Sequence, residues 1–272
     1  MEKIRILVWD LPVRVFHWLL AIAFAGAYLT SGYDRLRYVH VTFGYTVAVL
    51  IVFRLAWAII GTRHARLSSF SYGPRAVREY LGSLLVRNPR HYVGHNPAGS
   101  WAIYAILTLG IVTTGTGYAR YGHLVGKWIN GVHEVAGNLF LTVVIAHIAG
   151  VVVSSVLHRE NLAKAMVTGY KAGPPSEAIP ATRWVTAILL AGFVAAFWSG
   201  GIEIPGLPRK ADTSAAAAAG AQPGHPASAR DERADEQHES RERGGRARVR
   251  SLRPLGPFVA LAERPRSAPA VS

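Results

Sequence analysis

The chain has 272 residues, 50% of them hydrophobic and only 17% charged, a balance that points to a membrane protein rather than a soluble globule. Its 0 cysteines exclude cysteine-ligated iron–sulfur clusters, zinc-thiolate sites and covalently attached c-type haem. A net charge of +14 would suit a nucleic-acid binder, but the cations lie between apolar stretches, where they set topology, so no nucleic-acid partner is expected.

Five stretches run nearly free of Asp, Glu, Lys and Arg: Val15–Tyr33, Tyr38–Ile60 (interrupted by Arg54), Trp101–Tyr118, Val135–Leu157 and Trp184–Gly200. Each approaches the length of about 20 residues that a spanning helix needs. Lys3, Arg5 and Arg14 precede the first, and Ala25-Gly26-Ala27 resembles a signal-peptide cleavage site. His17-Trp18 breaks that apolar run and more spans follow, so a retained helix is expected. The segment Pro74–Arg87 reads as a basic amphipathic helix, with Ala76, Val77, Tyr80, Leu81, Leu84 and Leu85 on one face. Pro74 suits its first position, and such a helix is expected to lie on the membrane surface. Asn96-Pro97 reads as the cap that starts the third span.

Loop Gly61–Ser100 carries Arg63, Arg66, Arg75, Arg78, Arg87 and Arg90 against Glu79 alone, and loop His158–Arg183 carries Arg159, Lys164, Lys171 and Arg183 against Glu160 and Glu177. The short connections Asp34–Arg37 and Arg120–Lys127 carry two basic residues each. Positive-inside bias then places the N-terminus and both long loops in the cytoplasm. The expected fold is all-α: an integral membrane bundle with a four-helix core in 1–172, and a fifth transmembrane helix with its linker in 173–202. The tail 203–272, with the run Ala215–Ala219 and few large apolar residues, has a disordered composition.

His133 and His147 are 14 residues apart on one apolar stretch. On a helix that is about 21 Å and almost four turns, so both imidazoles share one face, one near each membrane surface. His17 starts the first span at the cytoplasmic side, and His40 starts the second at the far side. Matching depths pairs His17 with His147 and His40 with His133. Intramembrane ligands of this kind are costly and read as functional. Two stacked, non-covalently held b-type haems with bis-histidine ligation are the natural occupants. Gly44 follows His40 by four residues, Gly137 follows His133 by four and Gly150 follows His147 by three, each leaving room on the ligand face for a flat macrocycle. Arg54, 14 residues after His40, shares its face near the cytoplasmic pair; it either grips a haem propionate or snorkels to the nearby surface. His91, His95, His123 and His158 read as solvated or hydrogen-bonded, and His64 has no evident partner. Glu134 reads as an interfacial carboxylate that could also handle quinol protons.

These motifs resemble the bacterial cytochrome b561 and nickel–iron hydrogenase cytochrome b-subunit family, from Val8 to about Lys171. The resemblance rests on Val8-Trp9-Asp10, Arg14-Val15-Phe16-His17-Trp18, His40-Val41-Thr42-Phe43-Gly44 and Arg54-Leu55-Ala56-Trp57 with Gly61. It continues in Gly94-His95-Asn96-Pro97, His133-Glu134, Ala146-His147-Ile148, Leu157-His158-Arg159-Glu160-Asn161-Leu162 and Met166-Val167-Thr168-Gly169. It implies a di-haem b protein of the bacterial inner membrane that exchanges electrons between quinone and a redox partner, with His17, His40, His133 and His147 as iron ligands. A periplasmic c-type cytochrome, a hydrogenase or another dehydrogenase is the expected class of partner. The alternative is a stand-alone oxidoreductase acting on a small acceptor such as superoxide. A metal or proton transporter would need polar residues lining a path, and these are sparse. The fifth apolar stretch and the tail fall outside the resemblance.

Overall fold

A strand that precedes the first helix opens the fold, because Ile4–Leu7 finds a partner far along the chain. The computed structural model describes residues 4–86 and 90–201. The tail 203–272 and the end of the Pro74–Arg87 segment lie outside the described residues. Strand β1 (Ile4–Leu7) pairs antiparallel with β2 (Tyr170–Gly173), with Ile4 opposite Gly173 and Leu7 opposite Tyr170. This two-stranded ribbon is an addition to the helical bundle that the sequence reading did not foresee.

Among the described residues, four helices are long and apolar enough to cross a membrane: α1 (Leu11–Thr30), α2 (Arg37–Ile60), α4 (Pro97–Tyr121) and α5 (Ile129–His158). Between α2 and α4 lies α3 (Pro74–Leu85), and after α5 come α6 (Leu162–Thr168) and α7 (Trp184–Trp198). Polar caps set where the spans begin. Asp10 accepts from Val13 N at 2.9 Å ahead of α1, and Asn96 accepts from Gly99 N at 2.7 Å ahead of α4, with Pro97 in the first turn. Each cap starts its helix four residues before the uncharged stretch does.

The core between the spans is built from Phe16 and Ala23 of α1, Val47, Leu50 and Ile51 of α2, Leu107 of α4 and Phe140 of α5. Gly26 of α1 lies against the Phe43 ring of α2, where a side chain would collide, so its absence lets the two helices close up. Helix α7 has 15 residues, about 22 Å of helix, and contributes Leu190 and Val194 to the same core. It starts beside the head of α1, where Leu11 N donates to Thr182 O. It ends near the head of α2, where Trp198 stacks on Phe43 at 4.6 Å and donates to Thr46 Oγ1.

The N-terminal strand, the 61–96 segment and the 158–183 segment all gather at one end of the bundle. Val8 N and Trp9 N donate to Gly169 O, Arg63 pairs with Glu177 at 2.9 Å, and the buried His64 ring reaches Glu177 O at 2.8 Å. Gly94 lies so close to His64 that an added Cβ would sit 3.0 Å from its Nδ1. Tyr80 anchors α3 to α5 through Ser154 Oγ at 3.3 Å, while Leu81 and Leu85 on the same helix remain exposed. The short connections lie at the opposite end.

Asp10 ties this loop layer to the bundle. It is fully buried; Oδ1 caps α1, and Oδ2 accepts from Trp57 Nε1 at 3.1 Å and Thr62 Oγ1 at 2.6 Å. Asp10→Ala removes a cap and leaves two buried donors without an acceptor, which should cost about 3 kcal/mol. Asp10→Asn keeps acceptor capacity and should lose less. Thermal unfolding of the detergent-solubilised chain checks this, and an unchanged midpoint for Asp10→Ala would refute it.

Candidate functional site

At the short-loop end, α2 and α5 bring His40 and His133 together edge to ring, with ring centroids 6.2 Å apart and planes at 87°. Both rings are half-buried and fixed by the same device. His40 Nδ1 lies 2.7 Å from the carbonyl of Ala27 in α1, and His133 Nδ1 lies 3.0 Å from the carbonyl of Thr113 in α4. A carbonyl only accepts, so each Nδ1 must carry the proton and donate it. Each Nε2 is then left with a free lone pair, the tautomer that metal-binding histidines adopt. Thr116 Oγ1 stands 3.2 Å from the same His133 nitrogen. Gly117 gives the ring its space, since a Cβ there would come 3.0 Å from His133 Cε1.

The spacing suits a shared metal. An ion bound by two opposed imidazole nitrogens at about 2 Å, the usual metal–histidine length, separates the ring centroids by about 6 Å. The flanks are open as well. Cβ atoms added at Gly44, Gly137 and Gly150 would meet nothing within 4 Å, which leaves width beside the histidines for a planar group. Gly26 and Gly110 differ in kind, because side chains fill the space beside them.

At the loop-layer end, His17 of α1 lies close enough to His147 of α5 to feel it electrostatically. His17 Nδ1 is sealed from solvent and has no protein partner. A buried ring nitrogen without a partner is costly. Arg54, which with His147 is among the neighbours that His95 feels, is only 4% exposed. Its guanidinium therefore does not snorkel out to the surface. Cζ sits 6.0 Å over the Phe70 ring, and Nη1 is buried with no acceptor. Asp10 is the acid that Arg54 feels, yet both Asp10 oxygens already accept from Val13, Trp57 and Thr62. Among the described residues, no ion pair involves Arg54.

The sequence reading passed over His95. It was expected to be solvated or hydrogen-bonded, but its ring lies 4.6 Å from Trp9 and 4.4 Å from Phe70, and its Nδ1 is buried with no partner. Burial first, and then its neighbours Arg54, His64 and Lys171, hold its pKa down to about 3, so the ring is neutral at physiological pH. The signal was present in Asn96-Pro97: a cap at that point puts the preceding residue at the mouth of a span, level with the end of α2. Lys171 is buried too, and that burial lowers its pKa against the opposing pull of Glu160, 3.6 Å away. Of the remaining candidates, Glu134 and His123 are exposed, and His91 and His158 pack ring to ring at 5.6 Å.

A description of the prokaryotic cytochrome b561 family matches residues 8–169. Among curated proteins, the chain is 26% identical over 215 residues to the probable Ni/Fe-hydrogenase B-type cytochrome subunit of Rhizobium leguminosarum bv. viciae, covering 62% of this chain and 89% of that protein. Its identity to the subunit of the same name from Azotobacter vinelandii is 28% over 223 residues, covering 62% and 91%. To that from Azotobacter chroococcum mcd 1 it is 31% over 160 residues, covering 46% and 65%. No solved structure matches the chain. Apolar spans, paired imidazoles with their Nε2 atoms free, and a sequence match over most of the bundle lead to one conclusion: the chain belongs to the prokaryotic cytochrome b561 family, multi-pass membrane proteins that hold b-type haem and transfer electrons.

Proposed function

We propose that the chain is a di-haem b-type cytochrome of the bacterial inner membrane that passes electrons between quinone and a redox partner. The single observation that carries this reading is the His40–His133 pair, 6.2 Å apart, with each Nδ1 against a neighbouring helix carbonyl. His40 and His133 hold one haem, and His17 and His147 the other. Gly44, Gly137 and Gly150 leave room for the macrocycles, and Arg54 faces a propionate at the second site. Bound there, haem supplies reversible one-electron chemistry. The residues contribute ligation, orientation and exclusion of water. Held by His40 with His133 and by His17 with His147, each haem would have no open position at its iron, so these residues would steer a substrate away from the metal.

The positive-inside pattern puts the N-terminus and the loop layer in the cytoplasm and the His40/His133 end at the periplasm. Three curated relatives carry the name of a hydrogenase cytochrome subunit, which favours a hydrogenase as the redox partner over a periplasmic c-type cytochrome. Helix α7, running from the loop-layer end toward the His40 end, serves as a fifth span. In reconstituted vesicles, a quinol analogue should reduce the haems or a quinone should oxidise them in stopped-flow mixing. Rapid reaction with superoxide and none with either quinone species would transfer the assignment to a stand-alone oxidoreductase.

Two sets of variants test the site. His40→Ala and His133→Ala should lose the same haem, and His17→Ala and His147→Ala the other, read by haem quantification and difference spectra. Loss that pairs His17 with His40 contradicts the arrangement. Arg54→Leu should lower the midpoint potential of the cytoplasmic-side haem by tens of millivolts, because a nearby cation favours the reduced form, which carries one less positive charge. A redox titration in which neither midpoint moves would remove Arg54 from the site.

A further inference from the structure

Arg54 and His95 present the same anomaly from different elements. Each places a polar nitrogen out of reach of water, Nη1 on α2 and Nδ1 in the segment ahead of α4, and neither has a protein acceptor. They are electrostatic neighbours, and His147 is among the groups that His95 feels. The buried Lys171 adds a second basic group nearby. The acid within reach, Asp10, is committed to three other donors. Glu177 pairs with Arg63 and faces His64, and Glu160 faces Lys171. A buried guanidinium with an orphaned nitrogen, beside a neutral imidazole able to donate from Nδ1, is a seat for a carboxylate that the described residues do not provide.

Building on the proposed haem at His17 and His147, we infer that His95 is the second donor to a propionate carboxylate of that haem, completing with Arg54 a two-residue anion seat. Trp9 and Phe70 hold the His95 ring from either side, at 4.6 and 4.4 Å. Phe70 also lies under the Arg54 guanidinium, so one aromatic side chain positions both donors. His95 is a positioning residue: it touches the rim of the cofactor and not the iron. Three chain segments meet at this seat, the Trp9 turn, the Phe70 loop and the Gly94–Asn96 cap. Occupation of the seat therefore fastens the cytoplasmic loop layer to the bundle.

The test compares haem with haem whose propionates are both methyl-esterified, each titrated into haem-depleted full-length chain and read by the low-spin visible spectrum. The binding that disappears in His17→Ala defines the site. Wild type should prefer the free acid there by at least about tenfold, the effect of a hydrogen bond to a charged group. In His95→Phe, which keeps an aromatic ring and removes the donor, the preference should fall severalfold, and His95→Gln should restore part of it. Trypsin cleavage in the 61–96 segment should be slowed by free-acid haem more than by the ester in wild type, and equally by both in His95→Phe. Equal binding of acid and ester by wild type, or a full preference in His95→Phe, overturns the proposal while leaving the haem itself in place. A His17→Ala chain that loses no haem overturns the underlying site instead. If His95→Phe binds no haem anywhere, it reports a folding defect, and His95→Leu against His95→Gln decides: a preference kept only by Gln supports the seat, and identical behaviour overturns it.

Discussion

An imidazole placed in the apolar interior of a membrane must find work for both of its nitrogens, and this constraint organises the bundle. A polar group without a partner in hydrocarbon costs several kcal/mol. His40 and His133 meet half of the requirement by donating from Nδ1 to carbonyls of α1 and α4. Each bond crosses to a different helix from the one that carries the histidine. The two side chains thereby tie α2 to α1 and α5 to α4, and their ring centroids stand 6.2 Å apart. Ligation of a metal would satisfy their remaining nitrogens, and cofactor and bundle would then complete each other. Small residues follow from the same demand, because Gly117 yields space to the His133 ring and Gly44 and Gly137 keep the flanks clear.

The opposite end solves a different electrostatic problem. Asp10 and Arg54 are both buried, but they are not a simple ion pair. Asp10 spends its oxygens on the head of α1, on Trp57 and on Thr62, which joins the N-terminal turn to the far end of α2. Arg54 is left with a sealed nitrogen that no described residue satisfies, beside His95. Breaking up a buried charge arrangement of this sort is costly, and keeping it is reasonable only if a further anion completes it. The ribbon β1–β2, the buried Lys171 and the His64–Glu177 contact close the layer over that charge.

Much of this was legible in the sequence because helical periodicity and bilayer thickness are strong rules. The 14-residue separation of His133 and His147 needs only the rise per residue to place them near opposite surfaces. Asn96-Pro97 was read as a cap and is one. Asp10 performs the same office for α1 but was quoted only as part of a motif, since its other partners, Trp57 and Thr62, are about fifty residues away. The ribbon was hidden for the same reason: two four-residue strands, Ile4–Leu7 and Tyr170–Gly173, lie far apart in the chain and carry no local pattern that betrays their pairing. His95 was undervalued because its environment is made by Trp9 and Phe70, which sequence spacing cannot bring together. For Arg54 two outcomes stood open, and burial removes the snorkelling one, since only the packed loops reveal that the surface above it is covered.

The central claim is that one short bundle holds two bis-histidine centres at different depths. Its most direct test is the stoichiometry and coordination of haem in the full-length chain purified in mild detergent. Pyridine haemochrome analysis against quantitative amino-acid analysis gives haem b per polypeptide, and low-temperature electron paramagnetic resonance gives the ligand field of each ferric centre. The account predicts two haems b per chain, both low-spin with bis-imidazole signatures. A single haem per chain, or a high-spin centre with an open axial position, would contradict it.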